Sequence, residues 1–173
     1  MATGKRREGR EAAVQFLYQF DANKTPLDEA LALFWVLRSG PDGKTPTPEK
    51  TRVFAENLIR GVAREREAID AKIQSFSQNY QLHRIAAVDR NILRMGIYEM
   101  LHCAEVPPVV AINECIEIAK KFGSDESGRF VNGILDRLRK ELPRPARSFD
   151  WRPLAPPGFP QVPGEDEPGK GPE

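Results

Sequence analysis

Apolar residues recur at intervals of three and four along most of this chain, and that spacing constrains its fold more than any other feature. No segment shows convincing strand alternation. Between residues 131 and 142, for example, the apolar stripe consists of Val131, Ile134, Leu135, Leu138 and Leu142. The sequence therefore predicts an all-α protein of seven helices, joined by short loops and packed antiparallel or obliquely.

Signals at the ends of these segments predict approximate helix limits. Pro26 and Pro48 each follow a threonine and precede acidic residues, a combination typical of a first helical turn. Charged residues then separate an apolar stripe that ends at Val62 from another that ends at Phe76, which leaves open one bent helix or two. A fifth helix is expected over about 82–100. Gly123 is expected to end the sixth helix in the left-handed conformation that glycine favours.

The composition changes at Pro143, after which most of the chain's 15 prolines occur. A segment this rich in proline cannot bury enough apolar surface to order itself. We therefore predict a helical domain at 1–142, built from two packed subdomains at about 5–66 and 67–142. The Pro-rich tail at 143–173 is expected to be disordered.

The residue types argue against most catalytic and metal sites. There is no Gly-rich phosphate loop and no HExxH motif, and the two histidines and two cysteines lack zinc-site spacing. His102 and Cys103 are adjacent, and adjacent residues on a helix do not face each other, so they do not suggest a nucleophile pair. We expect no enzyme activity, no cofactor and no metal.

Neither a signal peptide nor an apolar run of the about 20 residues needed to span a bilayer is present. We therefore expect a cytoplasmic protein with reduced thiols and no membrane partner.

A cationic cluster stands at the start of the first helix and consists of Lys5, Arg6, Arg7 and Arg10. The helix dipole disfavours positive charge there, so stability gives no reason for it. The net charge is only +1, so any polyanion must be bound by a local patch of this kind. At about 100° per residue, Arg7, Arg10 and Tyr18 share one sector with Val14, away from the apolar face. Such a sector suits single-stranded RNA, although a solvated basic face explains it as simply.

Two positions in the later helices are unusual. Gly133 lies inside the seventh helix, where glycine costs about 1 kcal/mol relative to alanine. Close packing is the commoner explanation, and room for a ligand is the alternative. Glu99 falls on the buried face of the fifth helix and needs partners there, for which backbone N–H groups near Asn113 are candidates. The nearby Arg90 and Arg94 are expected on a solvated face.

Four segments resemble the NusB family and occur in that family's order. They are residues 6–18, residues 89–94 with Tyr98-Glu99, residues 110–120 with Phe122-Gly123, and residues 130–136. The resemblance covers about Lys5 to Leu142. The chain departs from the family pattern at Gly9, where alanine is common, in a longer loop between helices two and three, and in the proline-rich tail.

The resemblance implies a seven-helix fold of two packed subdomains that binds boxA RNA of ribosomal RNA leader transcripts together with NusE, a small-subunit ribosomal protein. The family acts in an RNA polymerase antitermination complex with other Nus factors. Carried over to this chain, the RNA-binding residues are Lys5, Arg6, Arg7, Arg10, Tyr18, Glu126, Phe130 and Asn132. Asp89 matches the acidic position that faces NusE.

Other functions stay open at this point. A similar helical domain precedes the cofactor domain of some ribosomal RNA cytosine methyltransferases, but here a proline-rich segment follows the helices. A helical protein–protein adaptor that never touches RNA is the other alternative. The sequence also leaves open whether the free protein is a monomer or a homodimer that masks its RNA face.

Overall fold

Seven α-helices and one 3₁₀ turn form the secondary structure of the computed structural model, which describes residues 2–40, 43, 45–77 and 80–143. The helices are α1 (Ala2–Asp21), α2 (Leu27–Arg38), α3 (Glu49–Arg64), α4 (Arg66–Phe76), α5 (Ala87–His102), α6 (Pro108–Phe122) and α7 (Ser127–Glu141). No strand occurs in these ranges. The predicted all-α, seven-helix fold is confirmed. The predicted disorder of the tail concerns residues that, apart from Pro143, lie outside the described ones.

Two helix limits are set by the backbone around them. The expected fifth helix is instead a 3₁₀ turn at Leu82–Arg84 followed by α5, because Ile85 and Ala86 have extended conformations. The third and fourth segments form two helices rather than one, since Glu65, with φ −95° and ψ 11°, interrupts the helical backbone.

The prediction for Gly123 is wrong, because its φ is −96° rather than positive. Glycine is nevertheless required there for a different reason. A Cβ would collide with the side chain of Ser127, whose Oγ accepts a hydrogen bond from the backbone N–H of Ser124 at 2.8 Å. The glycine therefore makes room for a tight connection between α6 and α7.

Helix α5 lies at the centre of the helical domain and contacts α1, α3, α4, α6 and α7. Residues all round it are buried, including Ile92, Leu93, Met95 and Ile97. A helix surrounded in this way is typical of a core element rather than of a surface element. In contrast, α2 packs mainly on α1, through an edge-to-face contact of Phe34 with Phe16.

Several polar residues of α5 are buried as well, Arg94 among them, which corrects the expectation that it lies on a solvated face. Its guanidinium donates to both carboxylate oxygens of Asp21 at 3.0 Å and to Asp70 at 2.7 and 3.0 Å. Asn91 donates to Asp21 at 2.9 Å. Burial raises the pKa of Asp21, but the hydrogen bond from Asn91 and the charges of Arg94 and Arg66 outweigh it, so the pKa is lowered. This network fastens the end of α1 and the start of α4 to α5.

Two mid-helix glycines have opposite surroundings. A Cβ on Gly61 of α3 would overlap the ring of Tyr98 of α5, so this glycine allows the two helices to approach closely. Gly133 of α7 is exposed, and a Cβ there would meet nothing within 4 Å. The favoured packing explanation for Gly133 is therefore wrong, and its helical cost is not offset by any described contact.

These surroundings predict opposite effects of the same substitution. Gly133→Ala should raise the free energy of unfolding by about 1 kcal/mol, since alanine is the better helix former. Gly61→Ala should lower it by about 1–3 kcal/mol, because the added methyl overpacks the contact with Tyr98. Chemical denaturation of both variants, monitored by circular dichroism, measures the difference. Equal effects of the two substitutions would contradict the packing described here.

Candidate nucleic-acid interface

The cationic cluster occupies the first three turns of α1, and the structure divides its members between surface and interior. Lys5 and Arg6 are exposed. The Nε and Nη2 groups of Arg7 each donate to Glu114 of α6 at 2.8 Å, and the Arg7 side chain is 42% exposed. The hydrogen bond from Arg7 lowers the pKa of Glu114 against the effect of its burial. Since guanidinium carries five N–H donors, Arg7 keeps others for a ligand while this pair fixes its orientation.

Arg10 is not a surface cation, which corrects its expected position in the sector shared with Arg7 and Tyr18. Its side chain is 3% exposed and lies against Glu99, which is fully buried. Arg10 Nε donates to both carboxylate oxygens at 2.9 and 3.1 Å, and Nη2 donates to one of them at 2.6 Å. Glu99 is thus buried as expected, but its partner is a guanidinium rather than backbone N–H groups near Asn113.

Tyr18 presents an aromatic ring on the same side of α1 as Arg7. Eleven residues separate the two, which corresponds to about 20° around the helix and about 17 Å along it. The Tyr18 side chain is 50% exposed, whereas Val14, expected in the same exposed sector, is 2% exposed. The surface along α1 therefore consists of cations at one end and a tyrosine at the other.

The C-terminal part of α6 adds a cation to this surface that the sequence did not single out. Lys121 donates to Glu11 of α1 at 2.7 Å, and its side chain is 57% exposed. Arg7 with Glu114 and Lys121 with Glu11 thus join α1 to α6 along one line. Because Lys121 lies 110 residues from Glu11, only the folded structure could reveal this juxtaposition.

A second group of the predicted residues lies around a cavity of about 210 Å³ beside the start of α5 and α7. Asp89, Glu126 and Phe130 line it together with Tyr80 and Arg84. Asp89 is 7% exposed, and its Oδ1 atom is buried without a hydrogen-bond partner among the described residues. Leaving a buried acceptor unpaired costs about 1–3 kcal/mol. A hydrogen-bond donor that enters the cavity and reaches Asp89 Oδ1 would therefore be bound favourably.

A neighbouring cavity of about 230 Å³ continues along α7 and is lined by Phe130, Gly133, Arg129, Arg137 and Tyr80, among others. Tyr80 is 55% exposed and meets Phe130 edge-to-face, with 6.2 Å between ring centroids. Sequence reasoning missed Tyr80 because it lies between the apolar stripe that ends at Phe76 and the predicted fifth helix, where no periodic pattern marks it. Gly133, whose missing side chain leaves the cavity open, was the available signal.

The predicted residues thus fall into two groups, and no hydrogen bond or ion pair among the described side chains joins them. Lys5, Arg6, Arg7 and Tyr18 lie along α1, and Asp89, Glu126 and Phe130 line the cavity beside α5 and α7. Asn132 is exposed on α7 but lines neither cavity.

Nothing in the described ranges suggests metal chemistry, since no group of three or more His, Cys, Asp or Glu side chains is placed to hold an ion. Both cysteines are free thiols. Burial raises the pKa of Cys103 to about 11. Among the same residues, no helix is both long enough and apolar enough to cross a membrane.

Known proteins match this chain over the whole helical domain. A model of the NusB family matches residues 7–140. The chain is 45% identical over 145 residues to the transcription antitermination protein NusB of Anaeromyxobacter dehalogenans (strain 2CP-1 / ATCC BAA-258), covering 84% of this chain and 96% of that protein.

Two solved structures match the fold. T. maritima NusB has a TM-score of 0.68 at 36% identity, covering 79% of this chain and 91% of that one. A complex of the antitermination factors NusB and NusE with dsRNA contains a chain with a TM-score of 0.69 at 24% identity, covering 80% of this chain and 98% of that one. At the latter identity the likeness concerns the fold alone.

The burial of Arg10 predicts a role in stability. Arg10→Met should lower the free energy of unfolding by about 3–5 kcal/mol, because it leaves the Glu99 carboxylate buried without its partner. The double variant Arg10→Met/Glu99→Leu should recover much of that loss, since an apolar pair can replace a buried ion pair. Urea denaturation of the three proteins measures both effects. An Arg10→Met variant as stable as the wild type would show that the pair is not formed in solution.

Proposed function

Because the chain belongs to the NusB family of transcription antitermination proteins, we propose that it binds boxA RNA of ribosomal RNA leader transcripts together with the ribosomal protein NusE. The observation that carries the RNA part is the surface of α1, where exposed cations and a half-exposed tyrosine follow one side of a single helix. With a net charge of +1, the chain offers no general attraction to polyanions, so local surfaces of this kind must supply it.

The α1 surface supports two kinds of contact with a single strand. Lys5 and Arg6 neutralise phosphates, and Arg7 offers a guanidinium already oriented by Glu114. Tyr18 stacks on a base at a distance of a few nucleotides from these cations. Glu126, Phe130 and Asn132 border the RNA at the start of α7, where Phe130 and Tyr80 supply further aromatic surface.

Asp89 serves the protein partner in this proposal. A carboxylate repels phosphate but attracts the cationic side chains of a basic ribosomal protein. Asp89 lines an open cavity, and its buried Oδ1 atom has no partner among the described residues, so a donor that enters beside it would satisfy an unpaired acceptor. The nearby Glu126 adds to the negative charge of this cavity, while Arg84 limits it.

The wider assembly belongs to the same proposal. The protein acts by binding, without catalysis, in the cytoplasm, within an RNA polymerase antitermination complex that contains other Nus factors. If the free protein formed a homodimer that covers α1, the dimer contact would compete with RNA. The molecular mass of the free protein is therefore measured by analytical ultracentrifugation alongside each binding experiment.

Salt titration of RNA binding separates the roles of Arg6 and Tyr18. Arg6→Ala should reduce the slope of log K against log salt by about 0.7, the value for one phosphate contact on a single strand. Tyr18→Ala should weaken binding by about 1–3 kcal/mol at every salt concentration without changing the slope, because stacking releases no counterions. The measurement is fluorescence anisotropy with a boxA oligonucleotide and a scrambled one.

Matched controls exist for both substitutions. Tyr18→Phe keeps the aromatic ring and should bind like the wild type. Arg139→Ala removes an exposed cation near the end of α7, away from the proposed surfaces, and should leave the slope unchanged. If Arg6→Ala and Tyr18→Ala both bind like the wild type, α1 is only a solvated face and the RNA site lies around Phe130.

Substitution of Asp89 tests the partner site. Asp89→Lys should weaken NusE association at least tenfold by placing like charges together, while the isolated protein binds boxA RNA as well as before or slightly better. Asp89→Asn keeps the shape and removes only the charge, so it should weaken NusE binding less and leave folding intact. Isothermal titration calorimetry with NusE measures both variants. Unchanged NusE affinity in both would reject this role for Asp89.

A further inference from the structure

Helix α1 packs closely against α3 at Gly9, and a phenylalanine fills the space that this glycine leaves. A Cβ on Gly9 would lie 2.6 Å from Cδ1 of Phe54 and 3.3 Å from the backbone oxygen of Thr51. The first distance is too short for a real contact, so Phe54 occupies its position only because residue 9 has no side chain. The departure from the family pattern at Gly9 thus has a counterpart on α3.

The half-buried ring of Phe54 also contacts two arginines of α1. The Cζ atom of Arg10 lies 5.4 Å from its centroid and that of Arg6 lies 5.9 Å away. Arg10 is already held by Glu99, so the ring covers a buried ion pair on that side. Arg6 is exposed and has no ion pair among the described residues, so the ring is its main restraint.

We propose that Phe54 is a positioning residue of the RNA surface: its ring holds the Arg6 guanidinium in place for a phosphate, and Gly9 provides the room for that ring. The inference rests on the proposed function, since it assigns Phe54 a role through an RNA-binding arginine.

The chemistry of the contact explains why an aromatic side chain suits this position. A cation above a ring is attracted to the negative face of the ring and uses no N–H group in the contact. All five guanidinium donors of Arg6 therefore stay available for phosphate oxygens. A long exposed side chain loses rotamer freedom when it binds, and restraint by the ring reduces that loss in advance.

A double-mutant cycle between Phe54 and Arg6 tests the proposal, with boxA RNA affinity measured by anisotropy. Phe54→Leu keeps an apolar side chain but lacks the ring, and should weaken RNA binding about two- to fivefold, the range of an exposed cation–π contact. Phe54→Tyr retains the ring and should bind like the wild type. In an Arg6→Ala background, Phe54→Leu should cause no further loss. Thermal melts establish that each variant is folded at the assay temperature.

Two further readouts separate positioning from simple support of the fold. Phe54→Leu should leave the slope of log K against log salt unchanged, because the phosphate contact is weakened and not removed, whereas Arg6→Ala lowers the slope. Gly9→Ala should weaken binding to a similar extent as Phe54→Leu, since the added methyl displaces the ring.

The outcomes distinguish this inference from the proposed function. If Arg6→Ala weakens binding but Phe54→Leu does not, or if Phe54→Leu is equally harmful with and without Arg6, the positioning role is wrong and the RNA surface stands. If Arg6→Ala itself binds RNA like the wild type, the positioning role is wrong because Arg6 contacts no phosphate. If Tyr18→Ala also has no effect, the α1 part of the proposed function fails with it.

Discussion

The structure depends on two buried charged residues of α5, Glu99 and Arg94, each of which is matched by opposite charge from another helix. Glu99 is fully buried against Arg10 of α1, and Arg94 lies between Asp21 of α1 and Asp70 of α4. Unpaired, each of these ions would be strongly unfavourable in the interior. Apolar packing alone would tolerate small shifts between helices, whereas these pairs have a defined geometry and therefore fix where α1 and α4 lie on α5.

This arrangement gives the arginines of α1 different functions although they are neighbours in the sequence. Arg10 belongs to the interior, Arg7 is shared between Glu114 and the surface, and Arg6 is exposed over Phe54. The cations of the surface thus differ from those that the sequence suggests, since Arg10 lies in the interior and Lys121 joins Arg7, each of the latter two held by a carboxylate. Rigid, partly engaged cations are suited to recognition of one RNA shape, because less entropy is lost on binding.

Much of the fold could be predicted from the sequence, because apolar spacing and proline positions reflect local preferences. The end of α6 just before Gly123 and the buried position of Glu99 follow from such patterns. The partner of Glu99 could not be predicted, since Arg10 lies 89 residues away and helical periodicity gives no information on which faces meet. The angular sector that contained Arg7, Arg10 and Tyr18 was too coarse for the same reason. Neighbouring helices cover the side of this sector that contains Arg10, while Arg7 and Tyr18 on its other side reach solvent. A projection of α1 alone does not show which side the other helices cover. Gly133 shows the converse case, since the anomaly was visible in the sequence but only the structure could show that close packing does not explain it.

The ion pairs of α1 have a consequence for the order of events during synthesis. Arg7 and Glu114 lie 107 residues apart, and Arg10 and Glu99 lie 89 residues apart. At about 5–20 residues per second, α1 leaves the ribosome several seconds before its partners on α5 and α6 exist. During that interval Arg7 and Arg10 lack these carboxylates, and Phe16 can pack on Phe34 of α2 but not in the complete core. The first helix to be made is therefore among the last to be locked in place, and its docking completes the nascent protein.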